Sequence, residues 1–371
     1  MVNSEDLRHM RRALDLAKKA EGCTSPNPLV GAVIVKDGTV VGEGYHQKAG
    51  TPHAEVHALA MAGERTVGST VYVTLEPCSH HGRTPPCAQA LTEARPRRVV
   101  VAMEDPNPLV SGRGIAMLRQ AGVEVEVGVM AEKARLINLP FIKYITTGKP
   151  LVAAKMAVSL DGKIATRTGS SQWITGEKAR QRGRYLRHRY DAILVGINTV
   201  LADNPRLTVR LPGRETINPL RVILDSRLRI PLDSHLLDVN DAPTLVVTTD
   251  ASDAAKRKYL ADQGVNLLVQ DGNTSINLNE LLTELGQRQI TGLLVEGGAA
   301  VHGSFFDQDL VDLLYLFMGY KIIGGKDAPG PIAGLGVAAV EQAKAFDLLK
   351  MDRYPQDLGL LLERRHSCLQ D

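Results

Sequence analysis

The sequence has few cysteines, few aromatic residues and no long apolar run, and each shortage excludes a class of protein. Four cysteines in 371 residues are too few for a disulfide framework, so spaced Cys and His residues indicate metal binding or catalysis. No apolar run approaches the roughly 18 residues of a membrane-spanning helix, and the charged N-terminal stretch lacks the apolar segment of a signal peptide. Aromatic residues make up 4% and the net charge is +3, which argues against a nucleic-acid partner. We expect a cytoplasmic protein with neither a membrane nor a nucleic-acid partner.

The length and the order of predicted elements indicate two α/β domains. At roughly 100–200 residues per domain, the chain holds two or three. Its first part predicts an α-β-β-α-β-α-β-α-β order, which is typical of a three-layer α/β domain. Residues 146–150 (TTGKP) predict a linker, after which strands and helices alternate again. We therefore place the domains at residues 1–147 and 148–371.

Capping residues predict where several helices begin. Ser4 is expected to cap the first helix, with Glu5 and Asp6 in its first turn. Thr51 is expected to cap the second helix, with Pro52 at its first position. A third helix is expected to open at Thr84-Pro85-Pro86, immediately before Cys87.

Four residues in the first domain predict a catalytic zinc site. His53, Cys78 and Cys87 supply the nitrogen and sulfur ligands that zinc takes, and three protein ligands leave one position open for water. Glu55 follows the histidine on the same helical turn and is expected to move a proton between that water and a leaving amine. This histidine–glutamate and proline–cysteine pattern is the signature of zinc deaminases. Cys87 at a helix N-terminus and Cys78 at a strand end are both suited to this role.

The spacing between the two cysteines departs from the general signature. That signature has two intervening residues, whereas here residues 79–86 intervene. They include His80 and His81, either of which could replace a ligand. Asn27 and Asn107 lie in two further polar turns that are expected to approach the site. Both residues are also ordinary turn formers.

Motifs from both halves of the chain together resemble one family. The first half carries SPNPLVGAVIV from Ser25, GEGYH from Gly42, HAE from His53 and EPCSHHGRTPPC from Glu76. The second half carries SLDG from Ser159, QWIT from Gln172, VLADNP from Val200 and VEGG from Val295. In this order, and with this wide cysteine gap, they resemble the bifunctional deaminase/reductase family of riboflavin biosynthesis.

The resemblance implies folds, cofactors and substrate. It implies a cytidine-deaminase-like domain followed by a dihydrofolate-reductase-like α/β domain, with Zn2+ in the first and NADPH in the second. The substrate would be a small phosphorylated pyrimidine, deaminated first and then reduced in its ribose chain. The family also implies a homo-oligomer.

The resemblance further implies contacts in the second domain. The positions that match dinucleotide contacts are Ala157, Trp173, Thr199, Asp203, Ser226 and the turn from Gly297 through Gly298 to Gly303. The positions that match substrate contacts are Ser171, Arg187, Leu207, Arg210 and Glu296.

The residues themselves support some of these contacts. Glycines after a strand let a phosphate approach helix N–H groups, although the pattern is not a Rossmann fingerprint. Arginines suit a phosphate monoester, whereas the basic stretch around Arg187 is also typical of a solvated helix face. Trp173, the only tryptophan, would equally suit core packing. Lys155 is a candidate for stabilising charge at the sugar oxygen that is reduced.

Two other functions share parts of this pattern. A nucleic-acid-editing deaminase would share the zinc residues, but it should carry a dense basic and aromatic patch in the second half. A non-enzymatic zinc domain would need a fourth protein ligand, for which His80 or His81 would have to serve.

Overall fold

The structure is a computed structural model that describes residues 3–79, 86–107, 110–211, 216–272 and 275–365. The chain divides into two compact units, Met1–Lys149 and Pro150–Asp371. Among the described residues, no helix combines the length and the hydropathy that crossing a bilayer requires.

The first unit is a five-stranded sheet between two layers of helices. Its strands lie in the order β2-β1-β3-β4-β5, with β1 antiparallel to both neighbours and β3, β4 and β5 parallel. Its elements are α1 (Ser4–Ala17), β1 (Gly31–Lys36), β2 (Thr39–Tyr45), α2 (Ala54–Ala62), β3 (Thr70–Val73), α3 (Cys87–Ala94), β4 (Arg98–Val101), α4 (Arg113–Gln120), β5 (Glu124–Val127) and α5 (Ala131–Thr147). The predicted three-layer arrangement is confirmed.

The alternation of side chains along β1 divides the core between the two faces of this sheet. Val33 and Val35 pack on the side of α1, whereas Ala32 and Ile34 pack on the side of α2. Each face of the sheet is therefore covered, and α2 is held against the strands.

Two sequence predictions about the caps of these helices are wrong. Asn3, not Ser4, caps α1, because its Oδ1 accepts the N–H of Asp6 at 2.7 Å. Thr51 does not cap α2, because its hydroxyl donates to the carbonyl of Lys48 and the helix begins at Ala54. The predicted linker 146–150 contains the boundary between the two units, and its first two residues belong to α5, a helix that was not predicted.

The second unit contains a nine-stranded, mostly parallel sheet. The strand order is β10-β9-β8-β7-β11-β6-β12-β14-β13, and among the described residues only β14 and its two neighbours pair antiparallel. Its elements are β6 (Leu151–Ser159), α6 (Glu177–Arg189), β7 (Ala192–Gly196), α7 (Ile197–Asp203), β8 (Leu220–Leu224), β9 (Thr244–Thr249), α8 (Ala254–Asp262), β10 (Asn266–Gln270), α9 (Leu278–Gln287), β11 (Gly292–Gly297), α10 (Ala299–Asp307), β12 (Leu313–Gly319), β13 (Phe346–Arg353) and β14 (Asp357–Arg364). The central strands are buried on both faces and form the core with α9 and Phe305.

The order of the parallel strands creates a switch point between β6 and β7. After β6, strands β7, β8, β9 and β10 follow in order on one side of it, and β12 lies on its other side. Strand β11 lies between β6 and β7. In open α/β sheets, ligands bind outside the carboxyl ends of the strands at such a point. The predicted turn at Gly297 and Gly298 follows β11 there.

Two glycines let α2 pack directly on strand β2. A Cβ at Gly44 would lie 2.3 Å from the carbonyl oxygen of Ala54, and one at Gly42 would lie 2.3 Å from that of Ala58. We expect Gly44→Ala to lower the free energy of unfolding of the first unit by about 1–3 kcal/mol through overpacking. Urea unfolding followed by circular dichroism measures this. Glu43→Ala, which removes only the surface ion pair with Arg12, is the control, and an equal loss there would contradict the packing argument.

Candidate active sites

Three segments of the first unit bring His53, Cys78 and Cys87 together. His53 immediately precedes α2, Cys78 lies in the segment after β3, and Cys87 is the first residue of α3. His53 Nδ1 lies 3.3 Å from Cys87 Sγ and 3.7 Å from Cys78 Sγ. The three ligand atoms lie within 4.8 Å of one another. A nitrogen and two sulfurs at this separation fit the tetrahedral coordination of zinc.

The start of α3 secures the two cysteines. The backbone N–H of Cys87 donates to Cys78 Sγ at 3.3 Å, and the N–H of Ala88 donates to the Cys78 carbonyl at 3.1 Å. A hydrogen bond from the Cys87 thiol and another with His53 hold the pKa of Cys78 well below that of a free thiol. These hydrogen bonds favour the thiolate of Cys78, which is the form that binds a metal.

Glu55 lies buried beside these ligand atoms. Glu55 is 3% exposed, and burial raises the pKa of its carboxyl group to about 7. Its side chain interacts with the Cys87 thiol and with the charge of His53. A carboxyl group with this pKa can both accept and release a proton near neutral pH.

Asn27 reaches the cluster through His46, the last residue of the GEGYH motif, for which no role was predicted. Asn27 Nδ2 lies 3.1 Å from His46 Nε2, and the His46 ring packs edge-on against the His53 ring at 5.5 Å. Asn27 is thus linked to the metal-ligand histidine candidate through one intervening side chain. His80 and His81, the alternative ligands, lie outside the described residues.

Glu76 is a second residue with an unpredicted role near this site. Its buried carboxylate accepts four backbone N–H groups, from Asp105, Gly112, Gly114 and Ile115, at 2.9–3.2 Å. It thereby joins the start of α4 and the turn containing Asn107 to the segment that leads into Cys78. An acidic residue directly before Pro77-Cys78 at a strand end was the available signal.

In the second unit, Arg187 and Glu296 form a bidentate ion pair. Arg187 Nε and Nη2 each lie 2.9 Å from a carboxylate oxygen of Glu296. Burial raises the pKa of Glu296, but the charges of Arg187 and Lys155 outweigh burial and hold it at about 2. The Arg187 side chain is 23% exposed, so the solvated-face interpretation is wrong for this residue.

Lys155 lies on the same side of the sheet as this ion pair. Val295 of β11 pairs with Ala154 of β6, which places Lys155 and Glu296 on adjacent strands. A Cβ at Gly183 of α6 would lie 3.6 Å from Lys155 Cε. The sheet and α6 therefore gather two cations and one carboxylate where the carboxyl end of β11 lies beside the middle of β6.

Most positions matched to dinucleotide contacts lie at this carboxyl edge. Thr199 is in the first turn of α7, and a Cβ at Gly298 would lie 3.5 Å from Thr199 Oγ1. Ala157 is near the end of β6 and Ser226 follows β8, whereas Asp203 ends α7. Trp173 is 59% exposed and lies under the guanidinium group of Arg180, so the core-packing interpretation is wrong.

The remaining predicted positions have other surroundings. Gly303 lies inside α10, where a Cβ would come within 2.0 Å of the Ala333 carbonyl oxygen, so its small size serves helix packing. Leu207 is buried with φ of 53°, and Arg210 is exposed on the same segment. The described hydrogen bonds of Ser171, Leu207 and Arg210 lead to none of the other predicted residues.

We expect Glu76→Gln to loosen the segment around α4. The NH2 group of the glutamine would face backbone N–H donors that it cannot accept. The free energy of unfolding should fall by about 2 kcal/mol. Hydrogen exchange should show faster exchange of the Gly112 and Gly114 amides. Glu93→Gln, the same substitution at an exposed position of α3, should change neither quantity. Unchanged protection in Glu76→Gln would contradict the anchoring role.

Comparison with known proteins places both units in one family. Residues 3–103 match the cytidine and deoxycytidylate deaminase zinc-binding region, and residues 150–360 match the RibD C-terminal domain. The riboflavin biosynthesis protein RibD of Aquifex aeolicus is 45% identical over 364 residues, covering 98% of this chain and 100% of that protein. 

Solved structures agree with this match. A structure of Acinetobacter baumannii RibD has a TM-score of 0.86 at 41% identity and covers 98% of this chain and 99% of that one. A diaminohydroxyphosphoribosylaminopyrimidine deaminase/5-amino-6-(5-phosphoribosylamino)uracil reductase from Thermotoga maritima has a TM-score of 0.84 at 37% identity and covers 97% and 99%. The predicted cytidine-deaminase-like and dihydrofolate-reductase-like folds are confirmed, and the chain belongs to the RibD family of bifunctional riboflavin biosynthesis enzymes.

Proposed function

We propose that the chain catalyses two consecutive steps of riboflavin biosynthesis. The first is zinc-dependent hydrolytic deamination of 2,5-diamino-6-(5-phosphoribosylamino)pyrimidin-4(3H)-one. The second is NADPH-dependent reduction of the ribosyl chain, which gives 5-amino-6-(5-phosphoribitylamino)uracil. The observation that carries the first step is the buried Glu55 beside three converging metal-ligand atoms. Residues 1–147 would carry the deaminase and residues 148–371 the reductase.

In the first unit, His53, Cys78 and Cys87 would hold the zinc ion. Zinc bound there supplies the Lewis acidity that lowers the pKa of water toward neutrality. Glu55 takes the proton released when water adds to the pyrimidine carbon, and it returns that proton to the departing amino group, which leaves as ammonia. Its burial keeps bulk water away from the carboxyl group during the transfer. Asn27 and the turn at Asn107 would bind and orient the pyrimidine.

In the second unit, the carboxyl edge would bind the dinucleotide and the ribosyl chain. NADPH supplies the hydride when bound, so the protein contributes orientation and charge. The contacts would come from Ala157, Trp173, Thr199, Asp203, Ser226 and the turn after β11. Because Glu296 stays ionised and paired with Arg187, it is a fixed acceptor for sugar hydroxyl groups.

Substrate recognition would combine this acceptor with cationic groups. Lys155 would stabilise negative charge at the sugar oxygen, and Arg187 and Arg210 would attract the phosphate. Ser171 and Leu207 would complete the wall of this site. A cytoplasmic location and a homo-oligomeric state stay predictions, the first from composition and the second from the resemblance.

Glu55→Gln provides the central test of the proposed function. Wild-type protein incubated with the diaminopyrimidinone phosphate should give only the deaminated product without NADPH and the reduced product with it, as resolved by mass spectrometry. Glu55→Gln should lower the deamination rate by about 100-fold or more, because Glu55 is the buried carboxyl group whose side chain interacts with Cys87 and His53. Zinc content should not change.

Controls separate the two sites. Glu55→Gln should still reduce separately supplied deaminated substrate, and the exposed Glu64→Gln should retain both activities. Loss of both activities in a folded, zinc-containing Glu55→Gln protein would refute the assignment of independent sites.

A further inference from the structure

The loop formed by residues 320–336 follows β12 at the carboxyl edge of the second sheet. It contains no helix or strand and is rich in glycine. Several of its side chains are exposed, including Leu335 at 95% and Ile322 at 68%. A loop with so little apolar burial needs other contacts to hold one conformation. Those contacts come from hydrogen bonds at both of its ends.

Asp161 anchors the first end of loop 320–336. Its Oδ1 accepts the Ile323 N–H at 3.0 Å, and its Oδ2 accepts the Gly324 N–H at 2.7 Å. The hydroxyl of Ser159 donates to the same carboxylate at 2.6 Å. These donors lower the pKa of Asp161 to about 2, so the carboxylate is charged throughout the neutral range. The SLDG motif singled out in the sequence thus has a structural role that the two reactions do not explain.

Neighbours of Asp161 extend the attachment along the loop. The Leu160 N–H donates to the Lys321 carbonyl at 2.7 Å, and the Ile164 N–H donates to the Pro329 carbonyl at 3.0 Å. Lys163 Nζ donates to the Ala328 carbonyl at 3.0 Å. The segment after β6 therefore contacts the loop over about half of its length.

Helix α10 anchors the second end. The Ala333 N–H donates to the Ala299 carbonyl at 3.0 Å, and His302 Nδ1 lies 3.2 Å from the Pro331 carbonyl oxygen. Asp307 accepts the N–H groups of Leu335 and Gly336. Gly303 admits the Ala333 backbone, as described above.

Loop 320–336 also holds Trp173. Lys321 Nζ donates to the Trp173 carbonyl oxygen at 2.6 Å. The loop consequently joins three segments: the end of β6 with the residues after it, the segment with Trp173, and helix α10. Each of these segments carries positions assigned above to the dinucleotide site.

We propose that Asp161 is a positioning residue for the dinucleotide, acting through loop 320–336. By fixing Ile323 and Gly324 it fixes Lys321, and through Lys321 it sets the position of Trp173 relative to the turn after β11. Asp161 touches neither cofactor nor substrate in this role. The inference rests on the proposed reductase function of this edge.

The sign of the effect distinguishes anchoring from simple electrostatics. NADPH is an anion and is repelled by a nearby carboxylate. If this repulsion were the only effect, removing the negative charge of Asp161 should strengthen NADPH binding. Removing an anchor should instead weaken NADPH binding, because part of the binding free energy is then used to order the loop.

The test compares Asp161→Ala and Asp161→Asn with Asp327→Asn. Asp327 is an exposed carboxylate of the same loop, and no hydrogen bond of its side chain is found among the described residues. NADPH affinity of the full-length protein is measured by fluorescence titration. We expect the dissociation constant to rise about tenfold in Asp161→Ala, less in Asp161→Asn, which keeps one acceptor oxygen, and not in Asp327→Asn.

Kinetics and stability supply readouts that a general loss of folding would not reproduce. In Asp161→Asn the KM for NADPH should rise while kcat at saturation and the deamination rate stay near wild type. Its melting temperature without NADPH should also stay near that of wild type. An unchanged or tighter NADPH dissociation constant in both Asp161 variants would overturn the proposal, as would a fall in kcat or melting temperature without a change in KM. If wild-type protein itself bound no NADPH, the proposed function would fail instead.

Discussion

The first active site depends on the contact between the start of α3 and the segment after β3. Hydrogen bonds from the N–H groups of Cys87 and Ala88 reach the sulfur and the carbonyl oxygen of Cys78, so both thiols are held on one side of His53. On the other side, Gly42 and Gly44 bring α2 close enough to the sheet to place His53 and Glu55 there. Glu76 secures the same segment from behind through four backbone N–H groups. The deaminase chemistry follows from this convergence.

The second site relies on a buried ion pair and an anchored loop. A carboxylate such as Glu296 is stable inside the protein only because Arg187 pairs with both of its oxygens and Lys155 adds a second positive charge. Loop 320–336, in contrast, gains its order from backbone hydrogen bonds to Asp161 and α10. The carboxyl edge of the sheet thus combines the fixed charges of Glu296, Arg187 and Lys155 with the ordered loop 320–336 beside them.

Chemistry-bearing motifs could be predicted from the sequence, whereas long-range partners could not. Periodicity and residue type identified the three layers, the convergence of His53 with the cysteines, and the glycine turn after β11. Helix caps were misjudged at Thr51 because its hydroxyl bonds backward to Lys48, a choice that local sequence does not reveal. The pairing of Arg187 with Glu296, 109 positions apart, and the clamp at Glu76 depend on the assembled sheet. No spacing rule predicts them.

The proposed sequence of two reactions begins at an open metal site with one nitrogen and two sulfur ligands from the protein. X-ray absorption at the zinc edge, combined with metal content, measures it most directly. We predict one zinc ion per chain, with one imidazole nitrogen, two sulfurs and one exchangeable light ligand in its first coordination sphere. A closed sphere of four protein ligands, or a protein that binds no zinc, would contradict the assignment of a catalytic zinc site.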